Sequence, residues 1–196
     1  VSERRNFNKL SQTFNKEQAE KEAERCLYCD EICNICVTVC PNFANYAYQV
    51  EKQQISLPKA ILSENGIIIE NYKEFEIKQS TQIVNIADFC NECGNCNTFC
   101  PTSGAPYKDK PHFYLNIKSF KDAEYGYYFN EMKDRTVLIY KDKQFVKTLT
   151  LENNRFIYET DQISAEINTE KFEVSKVVFK ASCVKEAYFD FAAEMY

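Results

Sequence analysis

The stretch CNECGNCNTFCP, residues 90–101, decides how this chain of 196 residues is organised. Its cysteines, at positions 90, 93, 96 and 100, follow the spacing C-x2-C-x2-C-x3-C-P. This spacing is typical of a loop around a [4Fe-4S] cluster, because three thiolates with two residues between each can wrap one side of the cube. Gly94 lies inside the loop, where the absence of a Cβ lets the backbone approach the inorganic sulfur and adopt unusual φ and ψ angles. The stretch predicts that one cluster is bound by Cys90, Cys93 and Cys96.

A second cysteine run lies upstream, in RCLYCDEICNICVTVCPN, residues 25–42. Its end, Cys36-x3-Cys40-Pro, repeats the end of the downstream run, so the two runs form an internal repeat. In two-cluster ferredoxins the fourth cysteine of such a run ligates the other cluster. We therefore expect Cys40 to complete the downstream cluster and Cys100 to complete the upstream cluster.

The upstream run has one cysteine more than its cluster needs. Three ligands are required beside Cys100, and the run offers four cysteines before Cys40. The ferredoxin-like set is Cys29, Cys33 and Cys36, with one residue inserted between the first two. The other plausible set is Cys26, Cys29 and Cys36. The spacing leaves both sets open.

Ten cysteines could also form disulfides or bind zinc. Disulfides are disfavoured because the chain shows no export signal and nine of the ten cysteines fall into the two matching runs. Zinc is the better alternative, since C-x2-C pairs build structural zinc sites, and it would make the chain a cysteine-rich scaffold or interaction module. Zinc ribbons use two separated pairs, however, whereas each run here has at least four cysteines and ends in Cys-Pro. The pattern therefore favours iron-sulfur clusters.

Composition excludes several other classes of function. The net charge is −5 and no long basic run is present, so nucleic acid is not an expected partner. The single histidine, His112, cannot supply the two histidines of a Rieske centre or of an H-E-x-x-H protease, and we expect it to be a packing or surface residue. With four glycines there is no dinucleotide loop and no P-loop, so any flavin or nicotinamide must be bound by another polypeptide segment.

The sequence contains no membrane span and no secretion signal, so we expect a cytoplasmic location. Hydrophobic patterning divides the chain into three expected parts. Residues 1–15 are an N-terminal arm. Residues 16–117 are a ferredoxin-like domain for two clusters, with an initial helix at about 16–26, begun by a capping box of Asn15 and Gln18, and a small inserted sheet containing 67–69 and 82–86. Residues 118–196 are an α+β unit with strands at 135–140, 144–149, 155–158 and 174–179 and a last helix over 183–196. The predicted fold class is α+β.

Two segments carry a family resemblance. EQAEKEAERCLYC, residues 17–29, resembles the cysteine-bearing helix that begins the glutamate synthase small-subunit family. CVTVCPNFAN, residues 36–45, followed by FCNECGNCNTFCPTSGAPYKDKPHF, residues 89–113, resembles the carboxy-terminal iron-sulfur region of the selenate reductase iron-sulfur subunit family. That family is a flavin-containing relative of glutamate synthase and dihydropyrimidine dehydrogenase.

The resemblance implies an electron-transfer module with two [4Fe-4S] clusters. It would relay single electrons between a flavoprotein and another redox centre within a larger reductase complex, with FAD and NAD(P)H only on a partner or missing domain. The chain lacks the flavin and nucleotide domains of the full-length relatives, so we expect an excised domain or a separate subunit. No residue is expected to be catalytic. The candidate ligands are Cys26, Cys29, Cys33, Cys36, Cys40, Cys90, Cys93, Cys96 and Cys100.

Overall fold

A computed structural model describes residues 13–25, 33–181, 183–190 and 195, and divides the chain into two units, Val1–Cys33 and Asn34–Tyr196. The first unit contains helix α1, Lys16–Ala23, which has no buried residue. Its start confirms the predicted capping box: the Asn15 side chain accepts the Gln18 N–H at 2.9 Å, and the Gln18 side chain accepts the Asn15 N–H at 3.1 Å. This reciprocal pair satisfies two amide donors that a helix start leaves without an intrahelical partner. The predicted end of the helix at residue 26 lies outside the described residues.

The second unit is built mainly of strands, so the chain is broadly α+β, as predicted. Its described helices are α2 (Ile35–Thr38), α3 (Asn95–Thr98), α4 (Pro106–Asp109) and α5 (Ile117–Asp122), with a 3-10 turn at Ala87–Phe89. Its described strands are β1 (Asn45–Gln49), β2 (Gln53–Ser63), β3 (Gly66–Ile77), β4 (Thr81–Ile86), β5 (His112–Tyr114), β6 (Gly126–Glu131), β7 (Arg135–Lys141), β8 (Val146–Glu152), β9 (Arg155–Glu159), β10 (Ile163–Asn168), β11 (Val174–Phe179) and β12 (Glu186–Tyr188).

These strands form two sheets. Nine of them lie in the order β1-β4-β5-β6-β7-β8-β9-β10-β11, where β5 is parallel to both neighbours and the other pairs are antiparallel. The remaining three form an antiparallel sheet in the order β12-β2-β3. One apolar core joins the two sheets, with Leu57 and Ala187 from the small sheet and Tyr158 and Ile163 from the large one, each at most 1% exposed.

Several predicted strands are confirmed, but their partnership differs from the prediction. The segments around 67–69 and 82–86 are strands β3 and β4, yet they belong to different sheets rather than to one small inserted sheet. Phe113 of β5 pairs with Tyr127 of β6, so strands on both sides of residue 117 are hydrogen-bonded neighbours. The predicted division at residues 117 and 118, like the arm at 1–15, stays a prediction.

The predicted helix over 183–196 is wrong at Glu186–Tyr188, which form β12. Ala187 is 1% exposed and lies opposite Ala60 of β2, whereas its two neighbours are exposed, and this alternation is that of a strand. An ion pair between Lys59 and Glu186, 3.1 Å long, holds the same register. Pairing with β2 therefore overrides the helical spacing of the apolar residues. Within the described part of the chain, no helix is long and apolar enough to cross a membrane.

Candidate metal centre

The same local structure occurs at the ends of the two cysteine runs, in residues 35–44 and 95–104, displaced by 60 residues. Each contains a helix of four residues, beginning at residue 35 in the upstream run and at residue 95 in the downstream run. Cys36 and Cys96 are the second residues of these helices, and each is 6% exposed. The helices are followed by Cys40 and Cys100, both half-buried. The repeat found in the sequence is therefore a repeat of backbone geometry as well.

The loop after each helix directs a backbone amide at a cysteine sulfur. Ala44 donates its N–H to Cys40 Sγ at 3.2 Å, and Gly104 donates its N–H to Cys100 Sγ at 3.1 Å. The preceding residues, Phe43 and Ser103, both have a positive φ, 53° and 59°. This left-handed residue turns the chain so that the following amide faces back toward the sulfur. Amide donors of this kind stabilise a ligating thiolate, so the donor sets of both loops fit an iron-sulfur cluster.

The structure brings the two runs together. Cys36 and Cys96 belong to one small buried cluster with Ile83 of β4, against which Val37 and Tyr107, among others, are packed. The helices that carry the two cysteines, α2 and α3, contact each other directly. The runs are thus neighbours in space although the β2–β3 hairpin separates them in sequence.

The remaining candidate ligands are placed as follows. Cys90 is half-buried and follows the 3-10 turn, whereas Cys93 is exposed. Cys93 is flanked by two residues of positive φ, Glu92 at 55° and Gly94 at 80°, which confirms the unusual backbone expected at the glycine. Cys33 is half-buried and belongs to the first unit. Cys26 and Cys29 lie outside the described residues.

None of the eight described cysteines forms a disulfide with another described cysteine. The distance of Cys183 from both runs predicts a buried small residue rather than a ligand, but the structure shows that this cysteine is exposed. Across the described ranges, no group of three or more His, Cys, Asp or Glu side chains is arranged to hold a single metal ion.

Hydrogen-bond donors surround the thiol of Cys100. The Thr102 hydroxyl lies 3.3 Å from its sulfur, and this contact, with the Thr102 and Gly104 amides, lowers the pKa of the thiol despite partial burial and the opposing charge of Asp109. Donors around a sulfur favour the thiolate, which is the form that binds metal. In the upstream loop Asn42 occupies the position of Thr102.

His112 is a packing residue, as expected. Its ring stacks on Tyr125 with centroids 5.0 Å apart, and Nε2 lies 2.8 Å from the Tyr107 carbonyl oxygen. Burial lowers the pKa of His112, while the Tyr107 carbonyl and the charge of Glu92 act in the opposite direction. The histidine thus supports, through Tyr107, the small cluster around Cys36 and Cys96.

Two buried amides that the sequence did not indicate lie beside the cysteines. Asn45, on β1, is 2% exposed and donates Nδ2–H to the Cys36 carbonyl at 3.0 Å. Asn85, directly opposite on β4, is 1% exposed and donates Nδ2–H to Asn45 Oδ1 at 2.9 Å. The two residues are 40 positions apart, so no local pattern could have revealed their contact.

Comparison with known proteins links the chain to iron-sulfur oxidoreductases. A family model described as dihydropyrimidine dehydrogenase domain II, 4Fe-4S cluster, matches residues 3–67, which is less than half of the chain. The provisionally named oxidoreductase YgfK of Escherichia coli (strain K12) is 38% identical over 103 residues, 53% of this chain, and its counterpart in Escherichia coli O157:H7 matches equally. The matched stretch is 8% of the length of these relatives. No solved structure matches.

These findings support an iron-sulfur, oxidoreductase-like family and an electron-transfer role for the chain. The family match contains the whole upstream run and ends before the downstream run.

Proposed function

We propose that this chain is an electron-transfer module that carries two [4Fe-4S] clusters and relays single electrons between a flavoprotein and a further redox centre. The observation that carries the proposal is the duplicated loop, in which Cys36 and Cys96, and then Cys40 and Cys100, occupy equivalent positions with the same amide-to-sulfur bond. A single-cluster protein needs one such loop. Two neighbouring copies suit two clusters close enough for rapid transfer.

Each cluster would take three ligands from its own run and one from the other. Cys90, Cys93 and Cys96 would bind the downstream cluster with Cys40. Cys100 would complete the upstream cluster beside either Cys29, Cys33 and Cys36 or Cys26, Cys29 and Cys36. The contact of α2 with α3 supports this exchange, because it brings the ends of both runs into one region.

When bound, such clusters supply reversible one-electron chemistry. The residues of this chain hold the thiolates, donate amide hydrogens to them and exclude water around Cys36 and Cys96. The chain has no dinucleotide loop, and its relative is named as an oxidoreductase, which supports a flavin-bearing partner or adjoining domain.

The composition of protein purified without oxygen tests the proposal. We expect a brown protein with about eight irons and eight sulfides per chain, as two [4Fe-4S] clusters require. Four irons and four sulfides would refute the second cluster. A colourless protein that contains zinc and no sulfide would refute the electron-transfer function and leave a cysteine-rich scaffold.

Serine substitutions test the exchange of ligands. If Cys40 belongs to the downstream cluster, the electron paramagnetic resonance spectrum of reduced Cys40→Ser protein should match that of Cys93→Ser. By the same reasoning, Cys100→Ser should match Cys36→Ser. Cys183→Ser, at an exposed free thiol outside both runs, is the control and should leave both signals unchanged. The exchange is wrong if Cys40→Ser instead resembles Cys36→Ser.

A further inference from the structure

The orientation of the Asn45 and Asn85 amides is fixed by the Cys36 carbonyl. That oxygen can only accept a hydrogen bond, so Asn45 must direct its NH2 group at it and its own Oδ1 at Asn85. Asn85 must then donate its Nδ2–H to Asn45 Oδ1, so that Asn85 Oδ1 takes part in neither of these two bonds. Among the described residues this buried oxygen has no hydrogen-bond partner. Reversing either amide would place two acceptors face to face, so only one arrangement is consistent with the contacts.

This chain of amides links the two cysteine runs. One end is the backbone of Cys36, which belongs to both candidate ligand sets for the upstream cluster. The other end is β4, which ends at Ile86 and continues through the 3-10 turn into Cys90. Asn85 is held on the far side as well, since its backbone N–H donates to the Pro111 carbonyl at 2.9 Å. The position of the Cys36 peptide is therefore set by the strand that leads to the downstream loop.

The link exists on one side of the repeat. With the displacement of 60 residues, the equivalent of Asn45 is Ala105, whose side chain has no donor. The equivalent of Cys36 is Cys96, so the two otherwise matching helices differ in the polar group behind their buried cysteine. Hydrogen bonds and dipoles near a cluster tune its reduction potential.

We propose that Asn45 and Asn85 are positioning residues for the upstream cluster, and that their amide chain makes the two cluster sites inequivalent. The proposal rests on the function proposed above, because it requires Cys36 to be a cluster ligand. Neither asparagine is a ligand itself. They act by fixing the Cys36 peptide against β4.

Redox titration of the cluster-loaded protein, followed by electron paramagnetic resonance, tests the proposal. Asn45→Ala and Asn85→Ala should each shift the midpoint potential of one cluster, the one altered by Cys36→Ser, and leave the other unchanged. The matched control is Gln49→Ala, which removes another side-chain bond between β1 and β4, from Gln49 Nε2 to Thr81 Oγ1 at 2.9 Å, but at the exposed end of the strand pair. It should leave the upstream potential unchanged. Equal shifts of both clusters in the Asn45 and Asn85 variants, or no shift, would overturn the proposal.

A conservative variant separates positioning from a simple packing defect. In Asn85→Asp the protonated acid can donate to Asn45 Oδ1, whereas the ionised carboxylate cannot and repels it. The upstream potential of this variant should therefore approach the native value at low pH and depart from it as the carboxyl ionises. A constant offset at every pH would contradict the proposed role.

A double-mutant cycle on the free energy of unfolding gives a readout that does not depend on cluster loading. The effect of Asn45→Ala combined with Asn85→Ala should differ from the sum of the single effects, because the two side chains share one bond. Additive effects would refute the link. Native protein without iron and sulfide would refute the proposed function instead, and the cycle would still decide whether the amides are coupled.

Discussion

Replacing Gly126 by alanine should destabilise the protein strongly, for two separable reasons. Gly126 begins β6 with φ at +137°, a conformation that residues with a Cβ rarely adopt. A Cβ there would lie 2.6 Å from Tyr114 Cε2 and 2.9 Å from the His112 carbonyl oxygen. The carbonyl belongs to β5, which is held between β4 and β6, so it cannot move without disturbing the sheet.

The structure provides a matched control for the backbone contribution. Gly66 also begins a strand, β3, and has φ at +126°, but an added Cβ would meet nothing within 4 Å. Forcing a residue into this region costs about 1–3 kcal/mol, so Gly66→Ala should lower the free energy of unfolding by that amount. Gly126→Ala adds overpacking, which costs a further 1–3 kcal/mol or so. The total for Gly126→Ala is about 2–6 kcal/mol.

Urea denaturation followed by circular dichroism measures both values under the same conditions. The difference between the two variants isolates the contact with β5. If Gly126→Ala costs no more than Gly66→Ala, then Tyr114 and the His112 peptide yield freely. The rigid packing of β5 against β6 inferred from these distances would then be wrong.

Three further predictions concern side chains. Because burial lowers the pKa of His112, the unfolded chain takes up a proton near the ordinary value of about 6.5 before the folded chain does. As the pH decreases from about 7.5 to about 5.5, the free energy of unfolding should therefore decrease, and it should decrease less steeply in His112→Gln. Equal slopes of this free energy against pH in the two proteins would contradict the prediction. Tyr158→Phe should leave the free energy of unfolding unchanged or raise it by about 1 kcal/mol, because the buried hydroxyl has no hydrogen-bond partner among the described residues. A clear loss of stability in urea denaturation would contradict this. Thr102→Val should raise the pKa of the Cys100 thiol, because it removes the hydroxyl that lowers this pKa. In cluster-free protein, alkylation of Cys100 measured by mass spectrometry should therefore require a higher pH. An unchanged pH profile would mean that a group other than the Thr102 hydroxyl lowers the pKa.

Local patterns were predictable because their causes are local. The capping box at Asn15 depends on residues three positions apart, and the spacing typical of cluster loops is contained within each short cysteine run. Strands β3, β4, β7, β8, β9 and β11 could be predicted from runs of β-branched and aromatic residues.

Long-range pairing was not predictable in the same way. Strand β2 contains Pro58, which normally argues against a central strand, yet β2 lies between β12 and β3. A register shift between Leu57 and Pro58 accommodates the ring, and no feature of the sequence announces it. The strand β12 depends on that same partner, and the Asn45–Asn85 contact depends on the pairing of β1 with β4. Each of these features becomes visible only once two distant segments meet.

The β2–β3 hairpin has a consequence for the order of folding. In sequence, the hairpin lies between strands β1 and β4. Its first and last paired residues, Gln53 and Ile77, are close along the chain to Gln49 and Thr81, the pair at which β1 ends and β4 begins. Once the hairpin has closed, only short connections remain between the strands that bring the cysteine runs together, so most of the loop-closure entropy has already been lost. Hairpins form within microseconds, which is early on the timescale of domain folding. Strand pairing outside the two cysteine runs would thus set the moment at which the ends of these runs can first meet.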